Sequence, residues 1–270
     1  MTFQPVVPIS GLSGWTFLQN TLPRQTEAYN SSPVLTRDTD YFAQNIGSVD
    51  SAEALVSDRR LLRVALGAFG LQDDINSKAL IQKVLEEGTI DDNALANRLS
   101  DDRYRQLSQA FGFGDFTGMR TGREGFADEI NALYRRRSFE AAVGEQDQTM
   151  RLALNAKREL VEIAGRDDTE NTKWFNIMGV QPLRQVFETV LGLPSGFGQL
   201  DLDRQLDEFK SRASSQLGLS SLAGLKDPEV LDDLVERFVL RDQISASESL
   251  STGSIALSIL QSAQPLNSAF

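Results

Sequence analysis

The sequence predicts an all-α fold: an elongated helical bundle with a long central helix flanked by two related helical units. Three observations carry that prediction. Apolar residues recur at spacings of three and four, as in Leu61, Val64, Ala65, Ala68 and Phe69, a stripe stopped by Gly70. A second stripe, Leu80, Ile81, Val84 and Leu85, is stopped by Gly88. Helix-start signals precede such stripes, the strongest being Asp227-Pro228-Glu229: a capping acid, proline at the first helical position, then an acid at the positive end of the dipole. Strand-length alternation of apolar and polar residues is rare.

In chain order the patterning predicts helices over 13–29 with a bend at Pro23, then 38–46, 51–70, 76–87, 92–98 and 101–111. Asp50 with Glu53 and Thr89 with Asp92 read as N-cap pairs. Five glycines between Gly112 and Gly125 read as a hinge or linker. A long, charged central helix is predicted over 124–164, bent at Gly144, its buried side marked by Phe126, Ile130, Leu133, Met150, Ala153, Leu154, Leu160, Val161 and Ala164. Helices over 169–178, 182–191, 201–216 and 228–243 follow. Shifting the chain by 122 residues sets Leu61 on Leu183, Val64 on Val186 and Gly70-Leu71 on Gly192-Leu193. The domain reading is a mobile N-terminus over 1–10 and one domain over 11–243. Its lobes, 11–118 and 165–243, are joined by the helix 124–164. A Ser-rich tail over 244–270 completes the chain.

Composition narrows the chemistry. The 270 residues include no cysteine and no histidine, which removes disulfides, thiolate catalysis, the commonest metal ligand and the commonest general base. The net charge is −11, which disfavours nucleic acid and anionic lipid as partners. Apolar runs fall short of the ~20 residues of a spanning helix, so no membrane insertion is expected. The first ten residues carry no positive charge and no long apolar core, so the default compartment is the cytoplasm, with signal-less export as the alternative.

Apparent motifs read more simply as structure. Gly112-Phe113-Gly114 starts like a dinucleotide loop, but the third glycine is misplaced and no strand precedes it. Asp201, Asp203 and Gln205 imitate the start of a calcium loop, yet Leu206 and Arg212 stand where glycine and glutamate belong. Six acid pairs, Asp73-Asp74, Glu86-Glu87, Asp91-Asp92, Asp101-Asp102, Asp167-Asp168 and Asp232-Asp233, read as caps and solvated turns rather than acid–base dyads. Arg135-Arg136-Arg137 reads as a solvated helix surface, with an anionic partner surface as the minor reading. Trp15, Phe17, Phe42, Trp174, Phe175 and Phe187 read as core. No catalytic, cofactor or metal residue is assigned.

Three stretches resemble a known family. They are Leu55 to Leu62 continuing to Gly70-Leu71, Phe139 to Gly144 continuing to Leu160, and Pro182-Leu183-Arg184 continuing through Leu193-Pro194 to Gln205-Leu206. The family they resemble is an alphaproteobacterial domain of unknown function, often encoded within or beside flagellar gene clusters. The matched positions are packing and capping residues, so no catalytic role transfers. The resemblance implies a non-catalytic, flagellum-associated protein acting through protein contacts, as an exported component or an assembly factor. The alternatives are a general helical scaffold or oligomerisation module, or an acidic-pocket enzyme using a divalent cation. The tail's apolar patch, Ile255, Leu257, Ile259 and Leu260, is the expected partner-binding segment.

Overall fold

The computed structural model describes residues 3–99, 101–116, 118–194 and 196–262, with side chains described as far as Ser247. Among them are thirteen α-helices and no strand. The first seven are α1 (Gly11–Asn30), α2 (Pro33–Asn45), α3 (Ala52–Ser57), α4 (Arg59–Phe69), α5 (Lys78–Glu87), α6 (Leu95–Arg98) and α7 (Asp102–Phe111). The rest are α8 (Phe126–Gly144), α9 (Gln148–Gly165), α10 (Glu170–Gly179), α11 (Gln181–Val190), α12 (Leu202–Leu217) and α13 (Pro228–Ser262).

Local chemistry explains most boundaries. Asp58 sits in extended backbone and accepts from the N–H groups of Arg60 (2.8 Å) and Leu61 (3.1 Å), which splits the expected helix 51–70 into α3 and α4. Ser51, rather than Asp50, caps α3. Thr89 caps nothing; its N–H donates to Asp115 Oδ1 at 2.7 Å, while Glu87 Oε2 accepts from the first N–H of α6 at 2.5 Å. The Asp227 cap holds: its carboxylate accepts from the Glu229 N–H at 3.0 Å.

The expected central helix is instead a hairpin. α8 ends at Gly144, and Asp147, in extended backbone, accepts from the Met150 N–H to cap α9. The chain reverses over three residues, so α9 packs back along α8. Periodicity continues across such a break and cannot reveal it. This turn has a capping acid but no proline, so the apolar stripe reads as one helix.

Two cores lie on either side of this hairpin. One is built from continuous sequence, from Leu35 to Tyr134, and centres on the stripe of α4. The other spans Phe139 to Val239 and also takes Trp15 and Leu18 from α1. The first helix thus packs into the second lobe, against α13, which corrects the lobe boundary expected at residue 11. Residues 3–10 are not loose: the Gln25 side chain brackets Val6, accepting from its N–H at 2.6 Å and donating to its carbonyl at 3.1 Å. At the far end the backbone of α13 remains helical to Ser262 rather than ending at 243, with no proline between Pro228 and Ser262 to stop it.

The two units end their apolar helices alike. Gly70 (φ 73°) and Gly192 (φ 60°) are left-handed caps, followed by Leu71 N–H to Leu66 O at 2.8 Å and Leu193 N–H to Glu188 O at 2.9 Å. Beyond each cap lies a three-residue 3-10 turn, then a helix, α5 or α12.

The glycine-rich segment is a docked loop, not a hinge. Arg120 N–H bonds Phe111 O at 2.9 Å, Thr121 Oγ1 bonds Val49 O at 2.7 Å, and Gly114 lies flat on the end of α5. A Cβ on Gly114 would stand 2.3 Å from Glu86 O and 2.4 Å from Gly88 N. Both obstacles are backbone. Gly114→Ala is therefore expected to destabilise by about 1–3 kcal/mol, read as a lower urea midpoint at unchanged slope. A midpoint equal to wild type would show that the loop lifts freely.

Candidate functional site

Five of the six acid pairs contribute a carboxylate to a structural contact, and Asp167 and Asp168 lie exposed at the surface. Asp74 accepts from Tyr104 Oη at 2.9 Å, Glu86 from Gln82, Asp91 from the Asn93 N–H, and Asp101 caps α7. Asp102 pairs with Arg105, and Asp232 with Lys157 at 2.5 Å. The Asp74 bond and burial together push the Tyr104 hydroxyl up to about 12, burial being the larger cause. Among the described residues no group of three or more His, Cys, Asp or Glu is arranged to hold a metal ion. Gln205, third in the calcium-like series, is buried: it donates to Leu200 O at 2.5 Å and accepts from Arg184 at 2.7 Å. Of the aromatic set, Trp15, Phe42, Trp174 and Phe187 are core, whereas Phe17 and Phe175 are well exposed, at 37% and 40%.

The arginine run does not form a solvated surface. Only Arg136 is exposed. Arg135 donates to Thr39 Oγ1 at 3.0 Å, across to α2. Arg137 turns into the hairpin and donates to Glu159 Oε1 at 2.9 Å, with 13% of its side chain exposed.

That contact belongs to a buried cluster of charged side chains. Arg158, 5% exposed, donates through Nε to Glu140 Oε1 (2.8 Å) and through Nη2 to Glu140 Oε2 (2.9 Å). Its Nη1 reaches Glu159 Oε1 at 2.5 Å. Arg137, Glu140, Arg158 and Glu159 thus alternate in sign across the hairpin between the two cores. Burial opposes the Arg158 charge, but Glu140 and Glu159 overcome it and hold its pKa above the ordinary arginine value. Burial likewise opposes the Glu159 charge, yet Arg158 and Arg137 leave that carboxylate below its usual range. For Arg137, burial and neighbouring Arg158 prevail, and its pKa is lowered.

The network forms the wall between two clefts, and Glu140 lines both. One cleft, about 320 Å³, lies between the lobes. Here Arg103 donates to the Gly70 carbonyl and to Asp101, locking the α4 cap onto α7. The other, about 830 Å³, opens between α1 and the hairpin. Sequence reasoning passed over Arg158, Glu140 and Glu159 as a set. Their pairing depends on the reversal at residues 145–147, for which Gly144, read as a bend, and Asp147 ahead of the α9 stripe are the sequence signals.

The candidate partner residues Ile255, Leu257, Ile259 and Leu260 fall on the backbone of α13, but their side chains lie outside the described residues. Among the described residues, no helix is long and apolar enough to cross a membrane.

The fold and its site define a two-lobed all-α protein held by a central hairpin. A crystal structure of a protein from Agrobacterium tumefaciens is similar at 28% identity, with a TM-score of 0.73, covering 90% of this chain and 99% of that one. The chain belongs to the family described as "Protein of unknown function (DUF1217)", matched over residues 68–231. Among curated proteins none matches.

Proposed function

We propose that this protein is a non-catalytic component that works through protein–protein contact and associates with the flagellum, exported or as an assembly factor. The observation that carries this reading is α13. Its last buried described residue is Val239; Leu240 and Ile244 are exposed, and the backbone stays helical to Ser262. Over 244–262 the sequence holds one charge, Glu248, and the apolar residues Ile255, Leu257, Ile259 and Leu260. A helix of that composition suits docking on a second protein. The flagellar element rests on the family resemblance, and the uptake of the acid pairs into caps and ion pairs favours binding over an acidic-pocket enzyme.

The test is fractionation with immunoblotting of cytosol, envelope, detached flagella and medium, in wild type and in a strain lacking flagellar export. Appearance outside the cell only when export works is the expected result for an exported component. Protein in the cytosol of both strains that co-purifies with a flagellar protein supports the assembly-factor reading. Leu257→Asp with Leu260→Asp should then abolish co-purification while leaving the melting temperature unchanged. Cytosolic protein with no flagellar partner overturns the proposal and leaves the scaffold alternative.

A further inference from the structure

The cleft between α1 and the hairpin has the makings of a ligand site. Its volume, about 830 Å³, falls in the range of small-molecule pockets. Leu22, Phe139 and Leu154 supply apolar walls, and Trp15 lies at its base, fully buried, with an indole N–H that has no hydrogen-bond partner. Burying such a donor unpaired is costly, so it is a group that a ligand acceptor would stabilise.

The charge of the lining is opposite to that of the molecule. Arg135, Arg136, Lys157 and Arg158 line the cleft against two acids, Glu140 and Asp232, in a chain of net charge −11. Both acids are already engaged, Glu140 by Arg158 and Asp232 by Lys157. Arg136 makes no ion pair among the described residues. Arg135 is steadied by Thr39, while its Nε is buried without a partner. Two guanidinium groups without an acid partner, beside an apolar wall, suit one ligand chemistry: an anionic head on a hydrocarbon body.

We propose that this cleft binds a small amphipathic organic acid, a carboxylate with an apolar body. Arg135 and Arg136 hold the carboxylate, and Leu22, Phe139 and Leu154 hold the body. Nothing in the reading of α13 is required for this.

The test is calorimetry on the full chain with decanoate, below its micelle concentration, against decanol and decylammonium. Trp15 fluorescence in a Trp174→Phe background gives a second readout. Saturable binding of decanoate is expected, at least about tenfold tighter than decanol, as the loss of a charge-assisted hydrogen bond implies, with no binding of decylammonium. Arg135→Gln with Arg136→Gln should weaken decanoate by a similar factor. Leu22→Trp, which fills the cleft without touching a charge, should abolish binding even if the arginine variant folds poorly. Absence of saturable binding overturns the proposal. So do equal affinity for decanol, or decanoate affinity unchanged by Leu22→Trp.

Discussion

Arg158→Ala is expected to destabilise the protein by about 3–5 kcal/mol, the cost of stranding a buried charge. The substitution leaves Glu140, 9% exposed, with no cation on either oxygen, and takes from Glu159 its shortest contact. The loss comes chiefly from the acids left behind rather than from the net worth of the pairs. Replacing both ends with apolar residues, Arg158→Met with Glu140→Leu, should therefore recover most of the stability. Urea unfolding at neutral pH measures both. A loss under about 1 kcal/mol in the single variant would mean that water reaches the network.

The same network gives the acid limb its shape. Glu159 is held below its ordinary value in the folded state, so it takes up protons less readily there than in the unfolded chain. Its contribution is complete above the ordinary glutamate range and is lost as pH falls through the lowered folded value. Glu159→Gln should flatten the fall of stability in that window while lowering stability at neutral pH. A pH–stability curve parallel to wild type would contradict this.

Phe209→Ala is the second large effect expected, also about 3–5 kcal/mol. Phe209 is fully buried at the centre of an aromatic cluster, with ring centroids 5.2 Å from Phe197, 6.0 Å from Trp174 and 6.4 Å from Phe187. Those neighbours come from α10, α11 and a 3-10 turn (Phe197–Gln199), so a cavity there loosens three elements at once. Phe209→Leu, which keeps most of the volume, should cost clearly less. Chemical denaturation followed by Trp174 fluorescence separates the two. Equal losses would point to the ring geometry rather than the volume.

These residues also show what the sequence could and could not reveal. Phe209 and Leu206 repeat at helical spacing within α12, and such local periodicity located nearly every helix. Asp58 and Asp147 were legible as capping residue types but not as breaks, because the apolar stripe runs on in register on both sides of each. The pairing of Glu140 with Arg158 needs the chain to reverse at Asp147, and the burial of Arg137 needs the lobes to close around it. Neither follows from composition or period. Gly114 looked like freedom because glycines permit bending, whereas its use is close approach to the backbone at Glu86 and Gly88. The α1–hairpin cleft was invisible for the same reason as the network: its walls come from segments more than a hundred residues apart.

The placement of α1 has a consequence for the order in which a nascent chain can fold. The core from Leu35 to Tyr134 draws on one continuous stretch, so it can close as soon as that stretch has been synthesised. The other core needs Trp15 and Leu18 together with Leu231, Leu234, Val235, Phe238 and Val239. Helix α1, made before the Leu35–Tyr134 lobe, is thus buried only after it. A chain halted on the ribosome before Leu231 holds one finished lobe, while α1 still lacks the α13 residues it packs against.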